Sequence, residues 1–285
     1  MSVAPLQQPA ADDSFCVHGF PFVLRTNFGE ARDLFARLYR QFLNPSDAEI
    51  GVEAVVCNES DRFRWGLQEK TGSSANLGSA LWSLESALCE AILRSQQRLI
   101  AIHAATVYSG DSAVMLIGPS GAGKSTLSVA LSRRGFTLAT DDVAFIDPET
   151  LEVHPIPRCV HLDRRSVELL DADGVRLPES WKRISFVAPV DLNSRPIPRC
   201  RAGLLIYIAA PRAERPYLKP VSQSEMAARL LSETGQGPLS DSEALDVLVK
   251  VSSSAACFSL IPGSLSETAD ALSDLILRHR VAELG

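Results

Sequence analysis

Lysine is scarce in this chain, and several features that mark other classes of protein are missing. Only 5 of the 28 basic residues are lysine, and the net charge is −6. We therefore expect no basic patch for nucleic acid or for an anionic membrane surface. A transmembrane helix needs an apolar run of about 18 residues or more. No run of that length is present, so no membrane span is expected.

The six cysteines form neither a disulfide framework nor a zinc motif. There is no Cys-x-x-Cys pair, and no cysteine stands at zinc-ligand spacing from a histidine. We expect buried thiols in a reducing compartment. Residues 1–13 are rich in Pro, Ala, Gln and Asp and lack the charged and apolar regions of a signal peptide. They are expected to be disordered, and the protein is expected to be cytoplasmic.

The order of sequence patterns predicts two domains with a boundary near residue 98. Residues 14–98 read as a smaller α+β domain that ends in a long amphipathic helix at 77–97, with Trp82 on its core side. In the same domain, Asn27 is predicted to cap an earlier helix. From residue 99, densely packed strands alternate with helices, so residues 99–285 are predicted to form an α/β domain.

A glycine-rich segment lies between a predicted strand, Ala113–Ile117, and a predicted helix, Thr126–Arg134. Its spacing is that of a phosphate-binding (Walker A) loop. Glycines let the backbone turn sharply and expose successive N–H groups, which form a nest for phosphate oxygens, and the helix adds its positive end. The predicted nucleotide-binding residues are Gly118, Pro119, Ser120, Gly121, Ala122, Gly123, Lys124, Ser125 and Thr126. Lys124 would reach the β- and γ-phosphates, and the Ser125 hydroxyl would ligate Mg²⁺.

Two adjacent carboxylates, Asp141 and Asp142, follow a predicted strand 17 and 18 residues after Lys124. That distance is one helix plus one return strand, so the pair can come back beside the loop. One carboxylate there can hold Mg²⁺, and the other can accept a proton from an attacking hydroxyl. Two adjacent carboxylates favour a kinase, in which metal binding and base catalysis are separate tasks. Which aspartate performs which task is left open by the sequence.

His103 lies in an apolar strand pattern, 15 residues before Gly118. A lone histidine in such a strand is usually a core residue, but a short turn between neighbouring strands would place it near the loop. Asp163 is a weaker candidate for a metal-facing carboxylate, with a helix start as the alternative. Further cationic candidates for phosphate binding, which could equally lie in solvated loops, are Lys182, Arg183, Arg195 and Arg199.

Three elements together resemble the catalytic core of the HPr serine kinase/phosphorylase family. They are His103-Ala-Ala-Thr-Val, the loop that begins 15 residues later, and Arg134-Gly-Phe followed by Thr140-Asp-Asp. The resemblance covers residues 99–165 and fades on either side. It implies a P-loop kinase core of the type found in phosphoenolpyruvate carboxykinase, ATP and Mg²⁺ as cofactors, and phosphorylation of a serine hydroxyl on a protein.

The same resemblance implies roles for individual residues. Asp141 would accept the proton of the substrate serine, Asp142 would lie near the metal, and His103 would line the active centre. The chain departs from the family at Thr126, where glutamate is common, and it lacks the family's glycine-rich, arginine-containing stretch that engages the partner protein. It is more similar to divergent HPr-kinase-related proteins, some of which phosphorylate a serine in a ribosomally made peptide such as a lasso-peptide precursor.

This resemblance also implies the partners. The expected substrate is a peptide or small protein that carries a serine, residues 14–97 would serve substrate recognition or assembly, and a homo-oligomer is suggested. Two other classes stay open. A nucleotide-gated ATPase or switch would pass the phosphoryl group to water, although the LSGGQ signature of ABC transporters is missing. A small-molecule kinase usually carries its loop near the start of the chain, whereas 117 residues precede it here.

Overall fold

The computed structural model describes residues 13–43, 52–59, 61–96, 98–156, 160–174, 186–187, 199–209, 212–235 and 239–284. The chain divides after Gln96 into two compact units, Met1–Gln96 and Gln97–Gly285. The segment expected to be disordered lies outside the described residues except for Asp13, which begins the first strand. The separate functions expected of the two parts stay predictions.

The first unit is a five-stranded sheet with two helices. Its elements are β1 (Asp13–Val17), β2 (Phe20–Thr26), α1 (Gly29–Leu38), a 3-10 turn (Arg40–Phe42), β3 (Val52–Glu59), β4 (Arg62–Leu67), β5 (Lys70–Ser74) and α2 (Leu77–Ser95). The strands lie in chain order, with β2 and β3 parallel and the other neighbours antiparallel. The long helix α2 packs on β3, β4 and β5.

Two local expectations in this unit are wrong. Asn27 does not cap α1, because its side chain pairs with the backbone of Asn58 instead. Its Oδ1 accepts from the Asn58 amide at 3.0 Å, and its Nδ2 donates to the Asn58 carbonyl at 3.4 Å. Trp82 is 51% exposed. The buried side of α2 is filled by smaller aliphatic residues such as Leu81 and Leu84, which are buried.

The second unit is a mixed α/β fold. Its elements are β6 (Ile100–Ile102), β7 (Ala104–Ser109), β8 (Ser112–Ile117), α3 (Lys124–Ser132), β9 (Thr137–Thr140), β10 (Ala144–Ile146), β11 (Glu152–Pro155), β12 (Val160–His161), α4 (Arg164–Ala172), β13 (Phe186–Val187), β14 (Cys200–Ile208), β15 (Tyr217–Pro220), α5 (Gln223–Ser232), α6 (Asp241–Ser253), β16 (Ala256–Ile261) and α7 (Leu265–Leu284). Nine of these strands form one sheet, with β14 parallel to both β8 and β16 at its centre.

Helices cover both faces of this sheet, which explains why β8 is apolar from Ala113 to Ile117. Val114 and Leu116 belong to the hydrophobic cluster that includes residues of α3, α4 and α7. Met115 and Ile117 belong to the cluster formed with α5 and α6 on the other face. A strand that is buried on both faces reads as a continuous hydrophobic run rather than as an alternating one. Within the described ranges, no helix combines the length and apolar character needed to cross a membrane.

A serine followed three residues later by a glutamate is the pattern of a capping box, and it predicts helix starts at Ser222, Ser240 and Ser264. The structure has a helix at each of these places. The hydroxyls of Ser222, Ser240 and Ser264 each accept a hydrogen bond from the amide of the glutamate three residues later. These serines stand directly before α5, α6 and α7. Such caps satisfy amides that have no partner within the helix.

The sheet topology brings three separate segments to one edge. The carboxyl end of β8 at Ile117 pairs with the amino end of β7 at Ala104. Thr140, the last residue of β9, pairs with Thr106 near the same end of β7. The residues that follow β8, precede β7 and follow β9 therefore lie side by side. In open α/β sheets, ligands bind beyond the carboxyl ends of the parallel strands.

Arg134, at the end of α3, connects three helices. Its Nη1 donates to the carboxylate of Asp173, the C-cap of α4, at 3.1 Å, and its Nε donates to Asp270 of α7 at 2.7 Å. The Asp173 side chain is only 5% exposed. A buried carboxylate that loses its cation is strongly destabilising. The arginine therefore fixes the far end of the helix that begins at the glycine-rich segment.

We predict that Arg134→Ala lowers the free energy of unfolding by about 3 kcal/mol, because Asp173 keeps its charge in a poorly solvated place. Arg164→Ala is the matched control, since it removes an exposed pair with Glu168 on the surface of α4. The control should change stability by about 0.5 kcal/mol or less. Urea denaturation of both variants provides the measurement, and equally small effects would contradict the role given to Arg134.

Candidate functional site

Residues 118–123, the glycine-rich loop, join β8 to α3 in a conformation that requires glycine. Gly118, Gly121 and Gly123 have φ angles of 148°, 79° and 97°, a region that other residues rarely adopt. Space is also limiting, because a Cβ on Gly118 would lie 2.8 Å from the carbonyl oxygen of Ile208 in β14. Helix α3 begins directly after the loop, at Lys124. A loop of this kind at a helix start can bind an anion.

The Lys124 side chain is buried against this loop. It is 5% exposed, and its Nζ donates to the carbonyl oxygens of Gly118 and Pro119. Burial lowers the pKa of Lys124, and the carboxylates of Glu233, Asp142 and Asp141 act in the opposite direction. The ammonium group is therefore held in a poorly solvated place and balanced by nearby negative charge.

Asp142 and His103 are in direct contact at the same edge of the sheet. The Nδ1 atom of His103 lies 3.0 Å from the Oδ1 atom of Asp142, and both side chains are 36% exposed. Asp141, the preceding residue, is only 3% exposed. The two adjacent carboxylates thus occupy different environments, and carboxylates whose environments differ can perform different roles.

His103 reaches this position because the apolar strand pattern that contains it does not form one continuous strand. The chain forms β6 and β7 instead, and His103 lies between them. Strand β6 pairs with β10, whereas β7 pairs with β8 and β9. At the break, the amide of His103 donates to the carbonyl oxygen of Glu233 at 2.8 Å, and the amide of Gly235 donates to Ala101 at 3.0 Å. The end of α5 thereby fixes the backbone on both sides of the break.

These residues line one cleft of about 300 Å³. They come from the segments that carry His103, Asp141 and Asp142, from the glycine-rich loop with the start of α3, and from β12 and α4. The loop's helix and α4 are in direct contact, because the Thr126 hydroxyl donates to the Ser166 hydroxyl at 2.8 Å. The lining residues are His103, Ser120, Gly121, Gly123, Lys124, Ser125, Thr126, Asp141, Asp142, His161, Asp163, Arg165, Ser166, Leu169 and Arg212.

Asp163 lies in the cleft, but its contacts are those of a helix cap. Its Oδ1 accepts a hydrogen bond from the Ser166 amide at 2.7 Å, and α4 begins at the next residue. Hydrogen bonds from the side chain and backbone of Ser166 lower the pKa of Asp163. The structure thus agrees with the helix start that the sequence left as the alternative.

Of the other cationic candidates, only Arg199 lies within the described residues, and it is not brought to the cleft. Arg199 precedes β14 and lies at the edge of the sheet opposite to the glycine-rich loop, because β14 runs parallel to β8. Lys182, Arg183 and Arg195 lie outside the described residues.

Two further residues lie near Lys124, and only the sheet topology identifies them, because no local sequence pattern marks either one. Arg212 follows β14, the parallel neighbour of β8, so it stands at the loop's edge of the sheet. Glu233 ends α5 beside the break at His103. Arginine is too common here, at 23 residues, for composition to single out Arg212.

The oxygen donors of the cleft are of the kind that Mg²⁺ prefers. They are the hydroxyl of Ser125 and the carboxylates of Asp141 and Asp142. No group of three His, Cys, Asp or Glu side chains in the described ranges is arranged to hold a metal ion. Mg²⁺ is usually bound through one or two carboxylates together with substrate phosphates, so this donor set fits the ion without a complete protein cage.

We predict that Asp163→Ala lowers the free energy of unfolding by about 1 kcal/mol, because α4 loses its N-cap. Asp163→Asn should leave stability nearly unchanged, since asparagine caps helices about as well as aspartate. Chemical denaturation of the two variants is the measurement. Equal destabilisation by both would show that the charge of Asp163, rather than its capping hydrogen bond, supports the fold.

Comparisons with known proteins give a distant structural likeness. No protein-family model and no curated protein matches the chain. Among solved structures, it is similar to the HPr(Ser) kinase/phosphatase from Coxiella burnetii, with 16% identity over 65% of this chain and 99% of that chain and a TM-score of 0.35. A likeness at this level says nothing of activity.

Proposed function

We propose that this protein is an ATP- and Mg²⁺-dependent kinase that phosphorylates a serine hydroxyl on a peptide or small protein. The observation that carries the proposal is the meeting of Lys124, His103, Asp141 and Asp142 in one cleft at the glycine-rich loop. Phosphoryl transfer needs a phosphate cradle, positive charge on the phosphates and a carboxylate at the attacking hydroxyl. The cleft contains groups suited to each of these tasks.

The phosphates would bind at the glycine-rich loop. Its backbone amides and the positive end of α3 can hold the phosphate oxygens. Lys124 would exchange its contacts with Gly118 and Pro119 for contacts with the β- and γ-phosphates. Ser125 and Asp142 would hold Mg²⁺, which neutralises phosphate charge when it is bound. His103 donates from Nδ1 to Asp142 and so keeps that carboxylate in one orientation.

Asp141 would accept the proton from the substrate hydroxyl. As that proton moves to Asp141, the serine oxygen forms a bond to the γ-phosphorus and the bond from phosphorus to the ADP oxygen breaks. Asp141 is suited to this role because it is buried beside the loop, where few water molecules compete for the phosphoryl group. The choice of a peptide serine as the acceptor rests on the resemblance of the sequence motifs.

The direct test is incubation of the protein with labelled ATP, Mg²⁺ and serine-containing peptides. Each peptide is paired with a control in which serine is replaced by alanine. Phosphoserine on the first peptide and none on the second is the expected result. Sugars and nucleotides are tested alongside as acceptors. Release of inorganic phosphate alone, at a rate that no acceptor changes, would identify an ATPase and overturn the kinase proposal.

We predict that Asp141→Asn lowers kcat for peptide phosphorylation by about 10²- to 10⁴-fold, because the amide cannot accept the proton. Affinity for ATP should be retained, since Lys124 and the loop are unchanged. Asp111→Asn is the matched control, because Asp111 is exposed in the turn between β7 and β8 at the opposite edge of the sheet. Initial rates and nucleotide titration give the two readouts. Full activity of Asp141→Asn would rule out its role as the base.

A further inference from the structure

Arg212 is a residue of the cleft to which the reaction described above gives no role. It follows β14, whose carboxyl end lies next to the carboxyl end of β8, and it lines the cleft with Gly123 and Lys124. The backbone on either side of Arg212 is hydrogen-bonded to the end of β16 and the residue that follows it. The amide of Ala209 donates to Leu260 at 2.8 Å, and the amide of Ala213 donates to Pro262 at 2.9 Å.

The guanidinium group of Arg212 lies over the end of the glycine-rich loop. Its Nη2 is 3.7 Å from the place that a Cβ on Gly123 would occupy. Gly123 is the last residue before α3, so the guanidinium stands near the positive end of that helix. Lys124 adds a second cation within the same cleft. Positive groups that converge in this way attract an anion.

The surroundings distinguish Arg212 from the other arginine of the cleft. Arg165 acts electrostatically on Asp163, which lies two residues before it. Within the described part of the chain, Arg212 forms no salt bridge, and its guanidinium group stands beside Gly123. Its fork of donors matches the oxygens of a phosphate group, which arginine binds through two parallel hydrogen bonds. Arg212 is therefore the cation of the cleft best placed to be completed by a ligand.

We propose that Arg212 is a phosphate-contacting residue that grips the polyphosphate chain of the nucleotide beside Gly123, while Lys124 contacts it within the loop. The inference deepens the proposed function and rests on it for the identity of the nucleotide. It adds a residue that belongs to no part of the glycine-rich motif. The ligand chemistry that Arg212 recognises is the polyphosphate, not the nucleoside.

The experiment compares Arg212→Ala and Arg212→Lys with wild type by calorimetric titration of MgATP, MgADP and inorganic tripolyphosphate. One charge-assisted hydrogen bond corresponds to a change of about tenfold to a hundredfold in affinity. Arg212→Ala should lower the affinity for all three ligands by that factor. Arg212→Lys should recover part of the loss, because it keeps the charge but not the paired donors. Arg215→Ala is the matched control, since Arg215 is exposed on the same segment and is not among the residues that line the cleft.

The outcomes separate this inference from the kinase proposal. Unchanged affinity for tripolyphosphate in Arg212→Ala, or an equal loss in Arg215→Ala, would overturn the role of Arg212. Failure of wild type to bind any of the three ligands would also overturn it. If tripolyphosphate binding depends on Arg212 while no acceptor is phosphorylated, the phosphate contact stands and the kinase proposal falls. Thermal unfolding of each variant shows whether it is folded during the titration.

Discussion

The parallel pairing of β8 with β14 is the constraint on which the cleft depends. The two strands end at the same edge of the sheet, with Ile117 opposite Tyr207. The glycine-rich loop leaves one strand, and the segment with Arg212 leaves the other. Their backbones approach so closely after these ends that Gly118 has no room for a side chain next to Ile208. The loop is therefore shaped by its neighbour across the sheet as well as by its own glycines.

Antiparallel pairing brings the remaining residues, His103, Asp141 and Asp142, to the cleft. Because β7 runs against both β8 and β9, its beginning lies beside the ends of the two strands that precede the loop and the aspartates. Because the chain is not a continuous strand at His103, this residue lies in the cleft. The end of α5 stabilises the break through two backbone hydrogen bonds. Residues far apart in the sequence thus meet through main-chain pairing, and the direct side-chain contact of His103 with Asp142 follows from it.

What could be predicted from the sequence was mostly local. The loop, its flanking strand and helix, and the serine caps at residues 222, 240 and 264 depend on residues within a few positions of one another, so their patterns are readable. The central strand β16 was not recognised, because its residues, 256–261, carry no alternating pattern. The break at His103 depends on hydrogen bonds to the end of α5, and the position of Arg212 depends on the pairing of β14 with β8, so both depend on segments that are distant along the chain. Trp82 shows the same limit, since helical periodicity cannot tell which of two neighbouring apolar residues the core has room for.

The contacts of Lys124 with its own loop have a consequence for the binding of an anion. In the structure its ammonium group already has two carbonyl partners, Gly118 and Pro119. Where an arriving anion replaces one of these hydrogen bonds, only part of the gross attraction appears as affinity. The same partners are ready to take the lysine back when the anion departs. A loop that closes on itself in this way favours exchange of the ligand over its retention.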